Sequence, residues 1–351
     1  MPSPFAVTFL GTSAGSGPSH TRNTSSILLN LNGSMSLVDC AEGTQRQLLQ
    51  SGQRVWGKID RIYVTHMHLD HISGIAPFLS NMMSTLAKPP GVNIDYTKPR
   101  IQFFAPPGLR LLLRTQLSLS QTVLDGKYAV HELLLPSEQP SAPCDSECLH
   151  PSEACGLNIV ADSDGTWRNI DVFGGVNVSA ARITHRVASL GYYFCEPPQP
   201  LPIPQEYLTA LDANADALAE QGIKNPRALL KHITKDTQVI SLPDGTTLRP
   251  PEQAVEGRRL LILGDCSDAT GCLPLLDREK GVDPFMGGDR TTAEKMREKA
   301  ISRGHSTPDM AGACAKMCGA RRLFMNHFGL SLTMLDPVPG MWRFGLDRSS
   351  G

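Results

Sequence analysis

The chain has 351 residues, of which 40% are hydrophobic and 19% charged, and a formal net charge of −1. This composition excludes a disordered chain and allows one large domain, or two ordinary ones, with a sizeable core. No apolar run approaches the roughly 20 residues of a membrane span, so we expect no membrane segment. Because the net charge is close to zero, any nucleic-acid site must be a local basic patch.

The first residues and the cysteines bear on the compartment. A strand pattern begins at Phe5, directly after Met1-Pro2-Ser3-Pro4, so we expect no cleaved signal peptide. The nine cysteines are scattered without a disulfide-like framework, which fits a reducing compartment. We therefore predict a cytoplasmic protein and leave the nucleus or an organelle open.

Short apolar runs of strand length recur between turns that are rich in glycine and proline. In chain order, the predicted strands are 5–10, 26–31, 36–38, 59–64, 101–104, 178–183, 260–263 and 322–325. Helical patterns lie between them, and the predicted helices are 44–49, 109–119, 225–233 and 307–318. Alternating strands and helices indicate an α/β layered domain.

Two stretches read as insertions into this pattern. Residues 136–168 carry prolines, serines and three cysteines near His150. The spacing of Cys144 and Cys148 is weak for a zinc knuckle, and we interpret this stretch as a surface insertion. Residues 196–257 are proline-rich at both ends with helical segments between, and we interpret them as an inserted arm. The chain, 1–351, otherwise reads as a single domain.

The segment from Thr65 to His71, Thr-His-Met-His-Leu-Asp-His, directly follows the predicted strand 59–64. Imidazole nitrogen and carboxylate oxygen are ligands that zinc takes in proteins. His66 and His68 point to one side at the exit of a strand, whereas Asp70 and His71 continue into a turn and can face a second metal. The pattern predicts a metal site rather than a solvated histidine-rich loop.

The spacing His-x-His-x-Asp-His resembles the signature of the metallo-β-lactamase superfamily. That resemblance implies a four-layer αβ/βα sandwich with its site at the carboxyl edge of the strands. Further segments, in the same order along the chain, are similar to sequence blocks of the tRNase Z family within it. These segments are 9–15, 18–26, 39–45, 183–192, 263–266, 304–307 and 325–328, so the resemblance covers nearly the whole chain.

The resemblance implies two zinc ions per chain. The implied ligands of the first ion are His66, His68 and His185. Those of the second are Asp70, His71 and His327, and Asp265 would bridge the two ions. Two cations side by side can bind one water and one phosphoryl oxygen together, which suits a phosphodiester substrate.

Two residues are candidates for proton transfer. Asp70 can take a proton from the attacking water, which makes it the candidate general base. His305 matches a family histidine that stabilises the phosphate or protonates the leaving oxygen, a role that suits an imidazole. The family usually has a His-Glu-Ala-Thr block before this histidine, but residues 282–292 contain no such glutamate. The partner of His305 is therefore open.

Two segments are candidates for contact with RNA. Arg22 and Asn23 belong to a Pro-x-x-x-Arg-Asn element that resembles the nuclease branch of the superfamily. In that branch, the interval corresponding to 196–257 carries an arm that grips tRNA. Within 222–235 the chain has four cations and no acid. Their spacing of three or four predicts one basic helical face that contacts phosphates, formed by Lys224, Arg227, Lys231 and Lys235.

The resemblance implies an endoribonuclease that cuts precursor tRNA after the discriminator base and leaves a 3′-hydroxyl. A first alternative is a zinc hydrolase of small phosphodiesters or sulfate esters. A second is a catalytically impaired RNA-binding paralogue, for which the missing glutamate is the motive. The complete ligand set argues against the paralogue, and the basic face favours the endoribonuclease over the small-ester hydrolase. Similarity to short-form enzymes also implies a homodimer.

Overall fold

The computed structural model describes residues 4–15, 17–20, 22–53, 55, 57–84, 95–200, 203–234, 238–250, 254–276, 298, 300–325, 327 and 342–345. The chain divides into two compact units. Unit 1 is Met1–Cys195 together with Arg259–Gly351, and unit 2 is Glu196–Arg258. The predicted arm, 196–257, falls within unit 2, and its role in RNA binding stays a prediction.

Unit 1 contains a nine-stranded sheet in which β17, β1, β2, β3, β4, β5, β6 and β7 are neighbours in that order, with β8 also pairing with β6. Pairing is antiparallel from β17 to β3 and parallel from β3 to β8. The strands are β1 Phe5–Gly11, β2 Ser26–Leu31, β3 Ser34–Val38, β4 Ile59–Tyr63, β5 Pro99–Ala105, β6 Lys127–Leu134, β7 Glu153–Ala154, β8 Asn158–Val160 and β17 Trp342–Gly345.

A second sheet of unit 1 is antiparallel and has the strand order β16, β11, β10, β9. Its strands are β9 Thr166–Phe173, β10 Val176–Ile183, β11 Ser189–Cys195 and β16 Arg259–Leu263. The helices of unit 1 are α1 Thr44–Gln50, α2 Leu69–Ile72, α3 Ile75–Met82, α4 Leu109–Leu119 and α8 Pro308–Met317, with a 3₁₀ helix over Thr270–Leu275.

Alternation along the strands builds two cores in unit 1. In β1, Phe5, Val7 and Phe9 enter the core that also contains Trp167 and Tyr192 of the smaller sheet. Leu10 points the other way, into the core formed with α1, α3 and α4. Because successive side chains of a strand point to opposite faces, a strand that is buried on both faces is apolar throughout. The larger sheet therefore lies between a helical layer and the second sheet.

Unit 2 has a small core of its own, made of Leu211, Leu218, Ile233, Leu242 and Leu248. The helices are α5 Gln205–Ala213, α6 Ala215–Glu220 and α7 Leu229–Thr234, with a 3₁₀ helix over Pro226–Ala228. Two short antiparallel pairs complete it, β12 Gln199–Pro200 with β15 Ala254–Val255 and β13 Ile240–Ser241 with β14 Thr247–Leu248.

The ends of unit 2 are held together by a buried ion pair. Arg258 donates from Nε and Nη2 to the two carboxylate oxygens of Glu196, each at 2.9 Å. The backbone N–H of Glu196 also donates to the carbonyl of Arg258 at 2.9 Å. A two-pronged arginine–carboxylate pair fixes both distance and angle, so the two chain ends lie side by side.

The predicted strands are confirmed except for 322–325, which is wrong. That segment is exposed and irregular, and none of the described strands pairs with it. All four predicted helices are present, but the single basic face over 222–235 is wrong. Lys224 lies in a bend before the 3₁₀ helix, because Pro226 at its first position starts a new element. Within the described residues, no helix is long and apolar enough to cross a membrane.

The stretch 136–168 is joined to the larger sheet. It supplies β7, β8 and the first residues of β9, and it buries His150 and Trp167. Arg114 of α4 holds it with two bonds to Glu153, at 2.8 and 2.9 Å. The edge position of β7 and β8 is compatible with an insertion, and that reading of the stretch stays a prediction.

Candidate metal centre

Strand β4 delivers the segment 65–71 to the carboxyl edge of the larger sheet. Val64 is still bound to the sheet, through its N–H and the carbonyl of Phe104 at 2.8 Å. After it the chain turns into α2, with His68 at the N-cap. His66 and His71 are buried, whereas His68 and Asp70 are half-buried.

The other predicted ligands come from the adjoining edge of the second sheet and from the last part of the chain. His185 follows β10, and Asp265 follows β16. The two edges are joined by the N–H of Leu190, which donates to the carbonyl of Thr65 at 2.9 Å. Parallel strands and their neighbours thus end in one place, which is where α/β proteins bind ligands.

Three groups of side chains have their ligand atoms within 4.8 Å of one another. The first group is His66, His68, His185 and Asp265, the second is Asp70, His71 and His327, and the third is Asp265, His305 and His327. All seven predicted ligands and the catalytic candidate His305 therefore meet in one histidine–aspartate cluster. That each of them ligates a metal stays a prediction.

The carboxylate of Asp265 lies between the first two groups. Its Oδ2 is 3.1 Å from Nε2 of His327 and 3.8 Å from Nε2 of His66, and its Oδ1 is 3.5 Å from Nε2 of His71. Burial by itself would raise the pKa of Asp265, but the hydrogen bond and charge of His71 hold it well below its usual range. An ionised carboxylate in this position is suited to bridge two cations.

His66 provides a test of whether the cluster fits a metal. Its Nε2 is buried and has no hydrogen-bond partner among the described residues. Burial and, next, the charge of His71 lower the pKa of His66 to about 2, so its imidazole is neutral. A buried nitrogen lone pair without a partner is costly, and a zinc ion is the kind of group that binds it. The cluster therefore fits a metal ion.

Asp39, directly after β3, orients two of the histidines through the ring atoms that face away from the cluster. Its Oδ2 lies 2.7 Å from Nδ1 of His71, and its carboxylate accepts the backbone N–H and the hydroxyl of Thr65, each at 2.8 Å. The Thr65 oxygen is in turn 3.0 Å from Nδ1 of His66. With both Nδ1 atoms engaged, the Nε2 atoms of His66 and His71 face the cluster, as in other proteins whose metal-binding histidines are oriented by carboxylates.

The raised pKa of His71 also indicates that this site favours a positive charge. Burial would lower its pKa, but Asp39 and Asp265 raise it to about 10. Two buried carboxylates require positive charge at this ring. A metal cation at Nε2 meets that requirement, as a proton does.

His185 is oriented by a backbone carbonyl. Its Nδ1 lies 2.6 Å from the carbonyl oxygen of Gly304, so Nε2 faces the cluster, 3.2 Å from Nδ1 of His68. Gly304 has φ 76, and a Cβ there would lie 2.4 Å from Nδ1 of His185. Only glycine allows this approach, which gives the glycine of the Gly-His-Ser-Thr block a physical role.

His305 lies on the accessible side of the cluster, with 33% of its side chain exposed. Its Nδ1 is 3.6 Å from Oδ2 of Asp265, and its ring centre is 5.4 Å from those of His185 and His327. Burial lowers the pKa of His305, and Asp265 opposes that shift. Residues 282–292 lie outside the described part of the chain. Among the described residues, the carboxylate placed beside His305 is that of Asp265.

The structure does not give Asn23 the surface position expected of an RNA contact. Asn23 is buried, and its amide donates to the carbonyl of Glu42 at 2.7 Å. Its side chain also packs on Gly43, where a Cβ would lie 2.4 Å from Oδ1. This geometry gives Asn23 a structural role. Arg22 is half-buried, and RNA contacts of both residues stay predictions.

Of the four cations predicted to form a basic face, three lie in the described part of unit 2. Lys224, Arg227 and Lys231 are exposed. Arg227 donates to both carboxylate oxygens of Asp212, at 3.2 and 2.8 Å, so its charge already has a partner. Lys235 lies outside the described residues.

Asp39 is the functional residue to which the sequence alone assigned no role. Its block, 39–45, was part of the family resemblance, but nothing in the block indicates what the carboxylate touches. The usable signal is topological. Because β3 and β4 are parallel neighbours, a residue at the end of β3 lies beside the segment that follows β4.

Two packed sheets with helices outside, and a histidine–aspartate cluster at their common edge, define a metal-binding protein of the metallo-β-lactamase fold. Comparison with solved structures agrees. Human tRNase Z, short form (ELAC1), superposes with a TM-score of 0.58 at 28% identity, covering 93% of each chain. A long-form RNase Z from yeast has a TM-score of 0.51 at 15% identity over 95% of this chain and 39% of that one, a likeness of fold alone.

Comparison of sequences gives the family. The chain is 33% identical over 337 residues to zinc phosphodiesterase ELAC protein 1 of Homo sapiens, covering 92% of this chain and 85% of that protein. It is 30% identical over 328 residues to ribonuclease BN of Cronobacter sakazakii, covering 92% and 88%. A family model described as anti-Pycsar protein Apyc1 matches residues 5–97. The chain belongs to the tRNase Z family of zinc phosphodiesterases, and the predicted fold class and family are confirmed.

Proposed function

We propose that this protein is a zinc-dependent endoribonuclease that cuts precursor tRNA after the discriminator base and leaves a 3′-hydroxyl. The observation that carries the proposal is the meeting of all seven predicted ligands around the unpartnered Nε2 of His66. Membership of the tRNase Z family supports the same activity, because relatives carry the names zinc phosphodiesterase, ribonuclease BN and tRNase Z.

The cluster has enough donors for two zinc ions. His66, His68 and His185 would hold one ion, Asp70, His71 and His327 would hold the other, and Asp265 would serve both. Zinc ions bound there supply positive charge that polarises a phosphoryl oxygen and lowers the pKa of a water molecule to about 7. Neutral imidazoles and ionised carboxylates are the forms in which these side chains bind zinc.

Asp70 is the proposed proton acceptor. Burial would raise its pKa, but the hydrogen bond with His327, the charge of His71 and the N–H of Gly15 lower it to about 2. The described hydrogen bonds to its carboxylate, from Gly15 at 2.9 Å and His327 at 3.3 Å, all reach Oδ2. Its other oxygen, Oδ1, is then the atom that accepts the proton of the attacking water.

His305 is the proposed proton donor. A product with a 3′-hydroxyl requires that the bond between phosphorus and O3′ breaks and that O3′ gains a proton. An imidazole at the accessible side of the cluster can donate that proton, and the adjacent carboxylate of Asp265 partly offsets the burial that lowers the pKa of His305. His305 thereby completes a pathway in which water loses a proton on one side of the phosphate and O3′ gains one on the other.

The finer statements about partners and location belong to the same proposal. Unit 2 would bind the body of the tRNA, with exposed Lys224 and Lys231 among the phosphate contacts. The resemblance to short-form enzymes supports a homodimer, which molar mass from light scattering would test. The cysteine pattern supports a cytoplasmic location, which fractionation of cells would test.

Incubation with a 3′-extended precursor tRNA, followed by mapping of both product ends, tests the proposed function. We expect one cut after the discriminator base, with a 3′-hydroxyl on the tRNA and a 5′-phosphate on the released trailer. Asp70→Ala is the matched control, since it should bind the precursor but lose cleavage by several powers of ten. If the wild-type protein, loaded with zinc, leaves the precursor intact but hydrolyses a small phosphodiester, the small-ester alternative replaces this proposal.

A further inference from the structure

Arg186 follows His185 on the loop between β10 and β11, and both ends of that loop are fixed. Thr184 donates its N–H to the carbonyl of Asp268 and accepts from the N–H of Ser267, each at 2.9 Å. At the other end, Leu190 is bound to Thr65, as described above. The backbone of residues 185–188 is therefore held at the edge where the two sheets meet.

The backbone of Arg186 also contacts the loop that carries His305, the proposed proton donor. A Cβ on Gly304 would lie 3.0 Å from the backbone nitrogen of Arg186. His305 is the next residue after Gly304. Arg186 is exposed. Its exposed side chain therefore begins beside the loop that carries His305.

The charge of Arg186 acts on three histidines of the site. Burial is the largest cause that lowers the pKa values of His68, His185 and His305. The positive charge of Arg186 lowers each of them further. This effect agrees with the backbone position of Arg186 beside Gly304, next to the cluster.

No acidic side chain in the described part of the chain neutralises Arg186. The carboxylate of Asp268, an acid on the neighbouring loop, accepts from the backbone N–H and the hydroxyl of Thr270, at 3.0 and 2.7 Å. Asp265 faces the histidines instead. A cation beside a metal site is repelled by the metal charge unless an anion lies between them.

We propose that Arg186 binds a non-bridging oxygen of the scissile phosphate on the side of the leaving O3′. A guanidinium presents parallel N–H donors that match phosphate oxygens, and it stays charged at any pH of interest. Negative charge builds up on this side of the phosphate as the bond to O3′ breaks. Arg186 therefore contributes more to the transition state than to the initial complex. The inference rests on the proposed function for the identity of the leaving oxygen.

Hydrolysis of bis(4-nitrophenyl) phosphate by zinc-loaded wild type, Arg186→Gln and Arg186→Lys tests this inference. We expect Arg186→Gln to lower kcat about 10²–10³-fold with KM changed less, as for loss of one donor to a developing charge. Inhibition by inorganic phosphate should weaken about 5–10-fold, because a bound oxyanion loses the same contact. Arg186→Lys should recover part of both effects. Zinc content, from elemental analysis, should equal that of the wild type in both variants.

Lys127→Gln is the matched control. It removes one exposed positive charge from the start of β6, at the opposite edge of the sheet. Its hydrolysis rate should stay within about twofold of the wild type. The inference is overturned if Arg186→Gln behaves like this control, or if it loses zinc, since Arg186 would then act through His185. A protein that hydrolyses the small ester in an Arg186-dependent way but spares precursor tRNA would refute the proposed function alone.

Discussion

At the scale of single residues, Asp39 shows how one carboxylate can set the orientation of two histidine rings. It contacts His71 directly and His66 through Thr65, so two of the proposed ligands have their ring orientations set by the same group. Asp39 has φ 58, in the left-handed region that aspartate and asparagine tolerate better than most residues. This backbone conformation turns the carboxylate towards the segment that follows β4.

We predict that Asp39→Asn weakens zinc binding by roughly 10–100-fold, the usual effect of removing a carboxylate that orients a metal-binding histidine. Asparagine keeps the left-handed backbone but replaces one acceptor oxygen by an N–H₂ group, so Thr65 and His71 cannot both be satisfied. Competition with a zinc chelator of known affinity measures the change. Glu42→Gln, an exposed position in the same loop, is the control and should bind zinc like the wild type. Equal affinities for the two variants would contradict the role of Asp39.

At the scale of elements, strand β6 carries a buried histidine outside the site. The ring of His131 stacks on Phe104, with centroids 4.7 Å apart, and its Nδ1 accepts the N–H of Leu157 at 3.1 Å. Its Nε2 lies 3.1 Å from the side-chain amide of Gln102. Burial lowers the pKa of His131 to about 4, so the folded protein keeps this ring neutral.

The depressed pKa makes stability depend on pH in a defined window. The unfolded chain, with a histidine pKa of about 6.5, binds more protons than the folded one between about pH 6.5 and about pH 4. The contribution of His131 is complete above that window and is lost as the pH falls through it. On lowering the pH from about 7 to about 4.5, both proteins should lose free energy of unfolding. We predict that the loss is roughly 2–3 kcal/mol smaller in His131→Gln than in the wild type.

Urea unfolding of both proteins at the two pH values measures this difference. Glutamine can still accept from Leu157, and its amide can pair with that of Gln102 in either orientation, so the variant should fold. The site histidines titrate in both proteins and cancel from the comparison. Identical pH dependence in the two proteins would mean that His131 is not protonated on unfolding in this range.

In unit 2, the basic side chains on and before α7 differ in whether they form an ion pair. Arg227 is engaged with Asp212, whereas Lys224 and Lys231 are exposed in a bend and on a helix. An ion pair on the surface must be broken before its arginine can bind a phosphate, which reduces what that phosphate contact contributes.

We therefore predict that Lys224→Ala with Lys231→Ala weakens precursor-tRNA binding and lowers the salt dependence by about one unit of slope for each lost contact. Arg227→Ala is the matched control and should change the slope of the salt dependence by less than about half a unit. Titrations at several salt concentrations provide the measurement. Hydrolysis of a small phosphodiester should stay within about twofold in every variant. An unchanged slope in the double variant would show that these lysines do not contact RNA.

At the scale of the whole molecule, the sequence predicted the order of elements well because strands buried on both faces are short, apolar and bounded by turns. It also predicted the members of the histidine–aspartate cluster, but only 66–71 follows from local spacing. His185, Asp265 and His327 are more than a hundred residues away, and no periodicity indicates that they meet. Their assignment came from resemblance to a family, and the fold supplies the reason: several strand ends share one edge.

Other features could not be read from the sequence because they depend on tertiary contacts. The role of Asp39 requires knowing that β3 and β4 are parallel neighbours, and the burial of Asn23 requires the approach of Gly43. The expected strand at 322–325 failed because apolar content alone does not provide a pairing partner. The basic face failed because Pro226 divides the segment, although the cation spacing alone suits a helix.

We predict that the purified protein carries close to two zinc ions per chain and loses thermal stability when they are removed. A ligand that binds only the folded state stabilises it by an amount that grows with the logarithm of its concentration. Treatment with a chelator should therefore lower the melting temperature by roughly 5–10 °C, and zinc should restore it. Magnesium should not, because imidazole-rich sites prefer zinc. Elemental analysis that finds only trace metal in a folded, active sample would contradict the prediction.

The ion pair between Glu196 and Arg258 closes a segment whose two ends already meet in the second sheet. The chain leaves β11 and returns to β16 at residues that are already cross-strand partners, Cys195 and Arg259. Such a position needs only a tight turn to become an ordinary hairpin. The segment 196–258 can therefore be replaced by a short turn without a change in the register between β11 and β16.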